Sequence, residues 1–466
     1  MFRNFCVVFL SALTTFILLL TSYIVRSDLS LRLLLFSAGN ILYVKNILPV
    51  IAAAILPFAG LFGLIYFIGR KHLALVALFF LSSLFCFVRY TDFVTVFLPG
   101  TLREDKDFLA REQKQTDHIL NRLIKNYLSL PQSDLLRQNC TKSKPILKKA
   151  GKNVVFIMLE SMEYNFNNHK EENLIPNIEK LKTQNLSFSG RTALMSLGNT
   201  AAATVAFTYG LPLKMHGILS MIKDYDYRYL NPYPSIVDTF NEAGYQTVFI
   251  FGSDKKFAHT DSFIKNAGFK EYLDRDKIIA RYKQQYPLND WGISDHDLYA
   301  VIKDKILNCH RRGQPFFILA QTIETHFPQG FPSPYCPPKN NSMKTAVFCT
   351  DKMLREFLDW AEQQSFYKNT LFVIVGDHLM ISCPFTRNIT ENRDNVFIVI
   401  NGNRSGTIRK PHSALDIAPT VLELSGAKID KHGFGLGISL LSTIPTLTER
   451  FGAERLNIEL NKRFYE

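Results

Sequence analysis

Several polar residues that could bind a metal ion come just after apolar, strand-like runs of the sequence. They are Glu160, His326, Asp377 and His378. Because an open α/β sheet brings the carboxyl ends of its parallel strands to one edge, we expect these side chains to lie close together. Each one alone is more often a helix cap, a surface charge or a structural turn residue. Gathered at one point, carboxylate and imidazole groups form a divalent-metal site.

Thr200 is a candidate nucleophile. It follows Asn199 and precedes the helix-prone run AAATVAF, and the free N–H groups at a helix N-terminus favour anions such as phosphate. A free threonine hydroxyl is a poor nucleophile, but coordination to a divalent cation lowers its pKa, and the cation also neutralises charge on phosphoryl oxygens. The alternative interpretation is an ordinary threonine at the start of a core helix.

Strand-like and helix-like segments alternate from residue 153 onward. The predicted strands are 154–159, 247–251, 315–322, 370–375 and 395–400, and the predicted helices are 177–184, 235–244, 295–309, 352–364 and 414–426. This alternation predicts an α/β domain whose mostly parallel sheet is covered by helices on both faces.

The first hundred residues are far more apolar than the rest. Apolar runs long enough to span a bilayer cover 5–25, 46–69 and 73–98, since a span takes about 20 residues. A shorter run, 33–44, either lies in the membrane interface or forms a fourth helix. The first run exceeds the usual ~7–15 apolar residues of a signal peptide, so we expect a retained anchor of three or four helices in residues 1–100.

Basic residues predict the orientation of this anchor. Arg3 precedes the first span, and Arg70 and Lys71 lie between the second and third, so three spans place the globular part outside the cytoplasm. A fourth span would reverse this orientation. The expected domains are the anchor (1–100), a juxtamembrane helix and linker (101–151), a catalytic domain (152–445) and a C-terminal tail (446–466).

The net charge, the absence of nucleic-acid-binding motifs and the cysteines indicate which partners and which cellular compartment to expect. A formal net charge of +13 suits work beside an anionic membrane surface or with phosphate-bearing substrates. The sequence has no zinc-finger spacing and no RNA-binding aromatic motif, so we predict no nucleic-acid partner. Cys336 and Cys349 could form a disulfide in an oxidising compartment or remain free thiols, and both interpretations stay open at this point.

Six motifs follow one another in a recognisable order. They read VVFIMLES, NTAAATVAFTYGLPL, WGISDHDLY, ETHFP, VGDH and LDIAPTVLEL. Together they resemble the sulfatase-like phosphotransferases of the alkaline phosphatase superfamily. Within these the sequence is most similar to the membrane phosphoglycerol transferases that modify periplasmic glucans, whereas lipoteichoic acid synthases are more distant. The resemblance covers about residues 150–440.

The resemblance implies roles for individual residues. The implied ligands of one divalent metal ion, which would be Mn, Mg or Zn, are Glu160, Thr200, Asp377 and His378. Thr200 is also the implied nucleophile, and His326 and Trp291 are implied to contact the substrate. Asp295 and Asp297, in WGISDHD, are interpreted as charges at a helix start rather than as ligands.

The resemblance also implies a reaction. A phosphoglycerol group would pass from phosphatidylglycerol, through a phospho-threonine intermediate, to a periplasmic or cell-envelope glycan. The enzyme would be a multi-pass protein of the bacterial inner membrane with a periplasmic catalytic domain. The alternatives are a phosphoethanolamine transferase acting on lipopolysaccharide and a non-catalytic membrane protein that binds glycan or an assembly partner. A true sulfatase is disfavoured because Thr200 lies outside a C/S-x-P-x-R context.

Overall fold

The computed structural model describes residues 132–148, 151–169, 172–213, 227–387, 389 and 392–462. The predicted anchor in residues 1–100 and the predicted juxtamembrane helix lie outside these described residues. Within the described ranges, none of the helices combines the length and the apolar character needed to cross a bilayer.

One eight-stranded sheet forms the centre of the described part. Its strands are, in chain order, β1 (Asn153–Leu159), β2 (Leu186–Arg191), β3 (Gln246–Phe251), β4 (Glu271–Leu273), β5 (Phe316–Gln321), β6 (Thr370–Gly376), β7 (Phe397–Ile400) and β8 (Gly406–His412). Their spatial order is β4-β3-β5-β1-β6-β7-β2-β8. Only β7 runs antiparallel to its neighbours in this sheet, β6 and β2. The predicted mostly parallel sheet is therefore confirmed.

Ten α-helices accompany the sheet in the described part of the chain. They are α1 (Asp134–Asn139), α2 (Pro176–Gln184), α3 (Thr200–Tyr209), α4 (Ile236–Glu242), α5 (Thr260–Ala267), α6 (Arg275–Arg281), α7 (Asp295–Arg311), α8 (Ser342–Glu362), α9 (Ile417–Leu424) and α10 (Leu447–Leu460). A separate two-stranded ribbon pairs β9 (Gly433–Phe434) with β10 (Gly437–Ile438).

The helices divide between two apolar clusters, one on each face of the sheet. Helices α1, α3, α4, α5, α9 and α10 contribute to one cluster, and α2, α6, α7 and α8 contribute to the other. Along β1 the side chains alternate between the faces, so that Phe156 packs in the first cluster and Ile157 in the second. Because both faces are covered, the strand is apolar from Val154 to Leu159, which is why this part of its sequence is an unbroken hydrophobic run.

Every strand and helix predicted from residue 153 onward has a counterpart in the structure, with two differences in detail. The helix expected at 352–364 begins much earlier, at Ser342, where Asn341 caps it by accepting a hydrogen bond from Lys344 N. The strand expected at 395–400 is antiparallel. Five strands of the described part were not predicted. Three of them, β4, β9 and β10, span only two or three residues, and β2 and β8 are rich in polar residues and lie at one end of the large sheet.

The N-terminal and C-terminal parts of the described chain pack together. Ser133, which caps α1, donates a 2.6 Å hydrogen bond from its hydroxyl to the Glu459 carboxylate of α10. Thr141 and Ile146 form isolated bridges with Gly435 and Lys428. The segment that we expected to be a linker therefore contacts the domain, and the expected C-terminal tail contains a helix.

A disulfide joins Cys336 to Cys349 and so resolves the alternative that the sequence left open. It connects the segment after β5 to helix α8, across a sequence separation of 13 residues. Disulfides persist mainly in oxidising compartments such as the bacterial periplasm.

Removal of this disulfide gives a stability prediction. We expect the Cys336→Ser, Cys349→Ser double variant to lower the free energy of unfolding by about 3 kcal/mol, because opening a loop of this size increases the entropy of the unfolded chain. Denaturant titration of the full chain measures the change. Cys309→Ala, at a buried free cysteine, is the matched control for loss of a sulfur alone. Equal losses in the two proteins would contradict the prediction.

Candidate active site

The carboxyl ends of the parallel strands bring the predicted cluster together. Glu160 follows β1, Asp377 and His378 follow β6, and Thr200 is the first residue of α3. The Thr200 hydroxyl donates to Glu160 Oε2 at 3.0 Å and lies 3.3 Å from His378 Nε2. His378 Nε2 is in turn 3.5 Å from both Glu160 Oε1 and Asp377 Oδ2. These four side chains are distant in the chain and meet at one point.

The turn after β1 is fixed to the turn after β6. Ser161 has a φ of 53°, a left-handed conformation uncommon for residues with a Cβ. In this conformation its N–H donates to Asp377 Oδ1 at 2.7 Å and its hydroxyl donates to Glu160 Oε1 at 2.7 Å. At Gly376 an added Cβ would lie 2.0 Å from Met162 O, so only glycine allows the two turns to approach this closely.

Helix α3 holds Thr200 at its first turn. Asn199 caps the helix by accepting a 3.0 Å hydrogen bond from Ala202 N, and Gly210 ends it with a φ of 62°. The positive end of the helix dipole and the N–H groups of the first turn therefore lie beside the hydroxyl. This arrangement favours a phosphate group next to Thr200.

His378 offers a free lone pair to the cluster. Its Nδ1 lies 2.9 Å from Leu379 O, which assigns the ring proton to Nδ1 and leaves Nε2 unprotonated. Burial lowers the pKa of His378, but the Asp377 and Glu160 carboxylates outweigh this effect and raise it. A positive charge at this point is therefore stabilised by the carboxylates around it.

Asp377 is fully buried and incompletely hydrogen-bonded. Burial, together with the neighbouring Glu160 carboxylate, raises the pKa of Asp377 to about 6. Its Oδ1 accepts two backbone hydrogen bonds, from Ser161 and His378. Its Oδ2 has no hydrogen-bond partner among the described residues. A buried carboxylate oxygen without a hydrogen bond is costly, so this atom is suited to binding a cation.

The donor set fits a divalent metal ion. The ligand atoms of Glu160, Asp377 and His378 all lie within 4.8 Å of one another, and the Thr200 hydroxyl adjoins them. Three oxygen ligands and one imidazole nitrogen are compatible with manganese, magnesium or zinc. A second group in the described part of the chain, formed by Glu324 and the two bridged cysteines, offers no thiolates because its sulfurs are joined to each other.

His326 and Trp291 form a wall beside the cluster. Their rings stack with centroids 3.6 Å apart. His326 Nδ1 lies 2.7 Å from Phe327 O, and burial lowers the pKa of His326 to about 4, so the ring is neutral near pH 7. Trp291 Nε1 is buried and has no hydrogen-bond partner among the described residues. Gly292 makes this placement possible, since an added Cβ would lie 2.0 Å from Gly252 O.

Comparison with known proteins decides the family. The sequence model of the sulfatase family matches residues 152–427, more than half of the 466-residue chain. This chain belongs to the sulfatase family. The match confirms the superfamily indicated by the order of the motifs.

Curated relatives of this sulfatase-family chain carry a more specific name. It is 29% identical over 303 residues to phosphoglycerol transferase I of Citrobacter koseri and equally to that of Escherichia coli strain SMS-3-5. Each alignment covers 62% of this chain and 39% of the relative. The chain thus spans about two fifths of the length of the curated relatives it matches.

Solved structures confirm the fold of the sulfatase-family chain. An alkaline phosphatase superfamily protein from Vibrio parahaemolyticus has a TM-score of 0.52 and 20% identity, over 70% of this chain and 79% of that one. The lipoteichoic acid synthase LtaP from Listeria monocytogenes has a TM-score of 0.54 and 18% identity, over 67% and 82%. At these identities the likeness shows the fold alone.

Sequence reasoning missed Arg191, which supports this sulfatase-family site from β2. The buried guanidinium donates to Gly376 O at 2.5 Å and to Asp377 O, and so fixes the backbone that carries the Asp377 side chain. Burial lowers the pKa of Arg191 to about 10, which leaves it charged. The only signal was an arginine at the end of the run LSFSGR, and no spacing in the sequence links that run to the VGDH motif.

Proposed function

We propose that this chain is a metal-dependent transferase that moves a phosphoglycerol group from phosphatidylglycerol to a cell-envelope glycan. The observation that supports this most strongly is the Thr200 hydroxyl at a helix N-terminus, 3.0 Å from Glu160 Oε2 and 3.3 Å from His378 Nε2. A hydroxyl placed between a carboxylate and an imidazole nitrogen, beside N–H groups that favour phosphate, is suited to nucleophilic attack on phosphorus. The name of the curated relatives supports the choice of headgroup.

The proposed metal ligands are Glu160, Thr200, Asp377 and His378. A divalent cation held there would lower the pKa of the Thr200 hydroxyl and neutralise charge on the phosphoryl oxygens. Glu160 accepts the hydroxyl hydrogen bond in the structure, which orients the threonine oxygen. Arg191 holds the backbone of Asp377, so that this carboxylate keeps its position while charge develops at the site.

The proposed transfer has two steps. In the first, the Thr200 hydroxyl loses its proton and its oxygen forms a bond to phosphorus, while the bond from phosphorus to the diacylglycerol oxygen breaks and that oxygen takes up a proton. In the second, a glycan hydroxyl loses its proton and its oxygen forms a bond to the same phosphorus, while the bond from phosphorus to the Thr200 oxygen breaks and that oxygen regains a proton. The first turn of α3 adjoins the reacting phosphate in both steps.

His326 is proposed to bind the substrate as a hydrogen-bond acceptor. Because its proton sits on Nδ1 and its pKa is about 4, Nε2 presents a lone pair at neutral pH. That lone pair can accept from a headgroup hydroxyl or from the attacking glycan hydroxyl. Trp291, stacked on the ring, contributes to the same wall an indole N–H that has no hydrogen-bond partner in the described part of the chain.

Replacement of His326 tests this role. We expect His326→Ala to lower kcat/KM by about 10²-fold, the lower end of the range for a positioned proton acceptor. In the parent protein the contribution of His326 is present above pH 4 and is lost as the pH falls through about 4, where the ring gains a proton. Rates measured from pH 3.5 to 8 check both statements. His432→Ala, at an exposed histidine paired with Glu423, should leave the rate unchanged.

The chain is proposed to work at the bacterial inner membrane with this domain in the periplasm. The disulfide between Cys336 and Cys349 supports an oxidising compartment. The net charge of +13 suits an anionic lipid surface. An anchored enzyme also meets its lipid donor at a higher effective concentration than a freely diffusing one.

A mass spectrum of the Thr200 peptide tests the proposed function directly. The full chain is incubated with vesicles of phosphatidylglycerol or of phosphatidylethanolamine, quenched and digested. A glycerophosphate adduct on Thr200 with the first lipid supports the proposal. A phosphoethanolamine adduct with the second would replace phosphoglycerol by the alternative headgroup. No adduct and no lipid turnover with either would favour a non-catalytic protein.

A further inference from the structure

The backbone of Glu160 is held on both sides by threonines from the segment after β5. Glu160 N donates to Thr322 Oγ1 at 3.0 Å, and Thr325 Oγ1 donates to Glu160 O. Thr322 N also continues the sheet by donating to Met158 O at 3.0 Å. The position of the Glu160 carboxylate therefore depends on where the segment 322–325 lies.

Two buried acids fix that segment. Asp295, in the first turn of α7, accepts hydrogen bonds from Ile323 N at 2.9 Å and from Glu324 N at 3.1 Å. In return Glu324 Oε1 accepts from Asp295 N at 2.9 Å. We call this reciprocal arrangement of Asp295 and Glu324 the carboxyl clasp. It joins the start of α7 to the two threonines that hold Glu160.

The carboxyl clasp buries two polar groups between α7 and the segment after β5, and this burial costs free energy. Both residues are 0% exposed, and their carboxyl groups accept hydrogen bonds from backbone N–H groups. Burial raises the pKa of both carboxyl groups. Apolar side chains of similar size would stabilise this contact more, since buried charged groups are costly even when hydrogen-bonded. The two acids instead provide directional hydrogen bonds, which fix the position of the segment 322–325 relative to α7.

We propose that Asp295 and Glu324 are positioning residues that hold Glu160 in the geometry required to bind the metal ion. The inference rests on the metal site of the proposed function. This inference gives Asp295 a different role from the one that the sequence indicated, which was a charge at a helix start. The residue does lie in the first turn of α7, but Ser294 caps that helix and the Asp295 carboxylate binds the segment after β5.

Manganese titration of the full chain tests the carboxyl clasp. An amide at position 295 offers one acceptor oxygen where the carboxylate offers two, so one of the two N–H groups loses its partner. We expect Asp295→Asn to weaken manganese binding by about 10- to 100-fold, the range for residues that orient metal ligands. Calorimetry with MnCl₂ alone measures this without lipid or catalysis.

Asp351 provides a matched control. It too is a buried acid, on α8, and it accepts hydrogen bonds from Ile178 N at 2.7 Å and Asn177 N at 3.1 Å at the start of α2. Its hydrogen bonds lead to no residue of the metal cluster. We expect Asp351→Asn to lower the melting temperature while it leaves manganese affinity within twofold of the parent protein.

A second pair of variants covers the case in which Asp295→Asn does not fold. Thr325→Val removes the hydrogen bond to Glu160 O but preserves side-chain size, and Thr325→Ser preserves the hydroxyl. We expect the valine variant to lose manganese affinity by about tenfold and the serine variant to recover most of it.

The outcomes separate the carboxyl clasp from the metal site itself. Weaker manganese binding in Asp295→Asn or Thr325→Val, with Asp351→Asn unchanged, supports the positioning role. Normal manganese affinity in the folded clasp variants would overturn it and leave the proposed function standing. A parent protein that binds no manganese, magnesium or zinc would refute the metal site and the clasp together.

Discussion

Thr200→Ala should abolish phosphoglycerol transfer, with a rate loss of about 10⁴- to 10⁶-fold, as seen when other enzymes lose their nucleophile. The reason is structural: the Thr200 hydroxyl contacts both the Glu160 carboxylate and His378 Nε2 from the N-terminus of α3. Without the Thr200 oxygen no covalent intermediate forms, so the labelled peptide should also disappear. Consumption of radiolabelled phosphatidylglycerol measures the rate, and the mass spectrum of the peptide measures the intermediate.

Two further variants distinguish chemistry from folding in this experiment. Thr200→Ser keeps a hydroxyl at the start of α3 and should retain measurable transfer and the adduct. Thr208→Val changes a buried threonine two turns further along the same helix and should leave transfer unchanged. Full activity in a folded Thr200→Ala protein would exclude this residue as the nucleophile.

The second prediction with a large expected loss of activity concerns the proposed metal ligands. We expect His378→Ala to lower transfer by more than about 100-fold, because even residues that only orient a ligand change activity by 10- to 100-fold. Treatment with a chelator should inactivate the parent protein to a similar extent, and added manganese should restore the parent but not the variant. Transfer assays and metal analysis of the purified proteins provide the two measurements.

His310→Ala is the control for this variant. His310 lies in the last turn of α7, where its Nε2 contacts Ser365 Oγ at 3.0 Å on the protein surface. Its loss should change neither metal content nor rate. Metal content in His378→Ala equal to that of the parent protein would show that the imidazole does not bind the ion.

The parts of the fold that the sequence predicted are those in which local pattern and tertiary environment agree. Strand β1 is buried on both faces, so its apolar run is visible without any knowledge of its neighbours. Strands β2 and β8 mix polar and apolar residues at one end of the sheet, and their pairing depends on contacts that no local pattern reveals.

In the candidate site, too, some residues could be predicted from local sequence patterns and others could not. Glu160 and the Asp377–His378 pair were predicted because they follow strong strand signals that share one sheet edge. Arg191 and the acids of the carboxyl clasp were not, because each acts on backbone groups far away in the chain. Such contacts leave no recognisable pattern in the sequence, because every segment offers carbonyl oxygens and N–H groups. Only the folded structure determines which of these groups are used.

The antiparallel direction of β7 has a consequence for how the surface beside the candidate site can vary. Because β7 returns beside β6, the connection from Asp377 to Val396 both leaves and re-enters the sheet at the edge where the proposed metal ligands lie. If β7 were parallel to β6, a connection of this length would have to cross back to the opposite edge of the sheet before β7 could begin. Insertions and substitutions in this one connection can therefore change the surface beside the candidate site, while strand register and the buried cluster stay as they are.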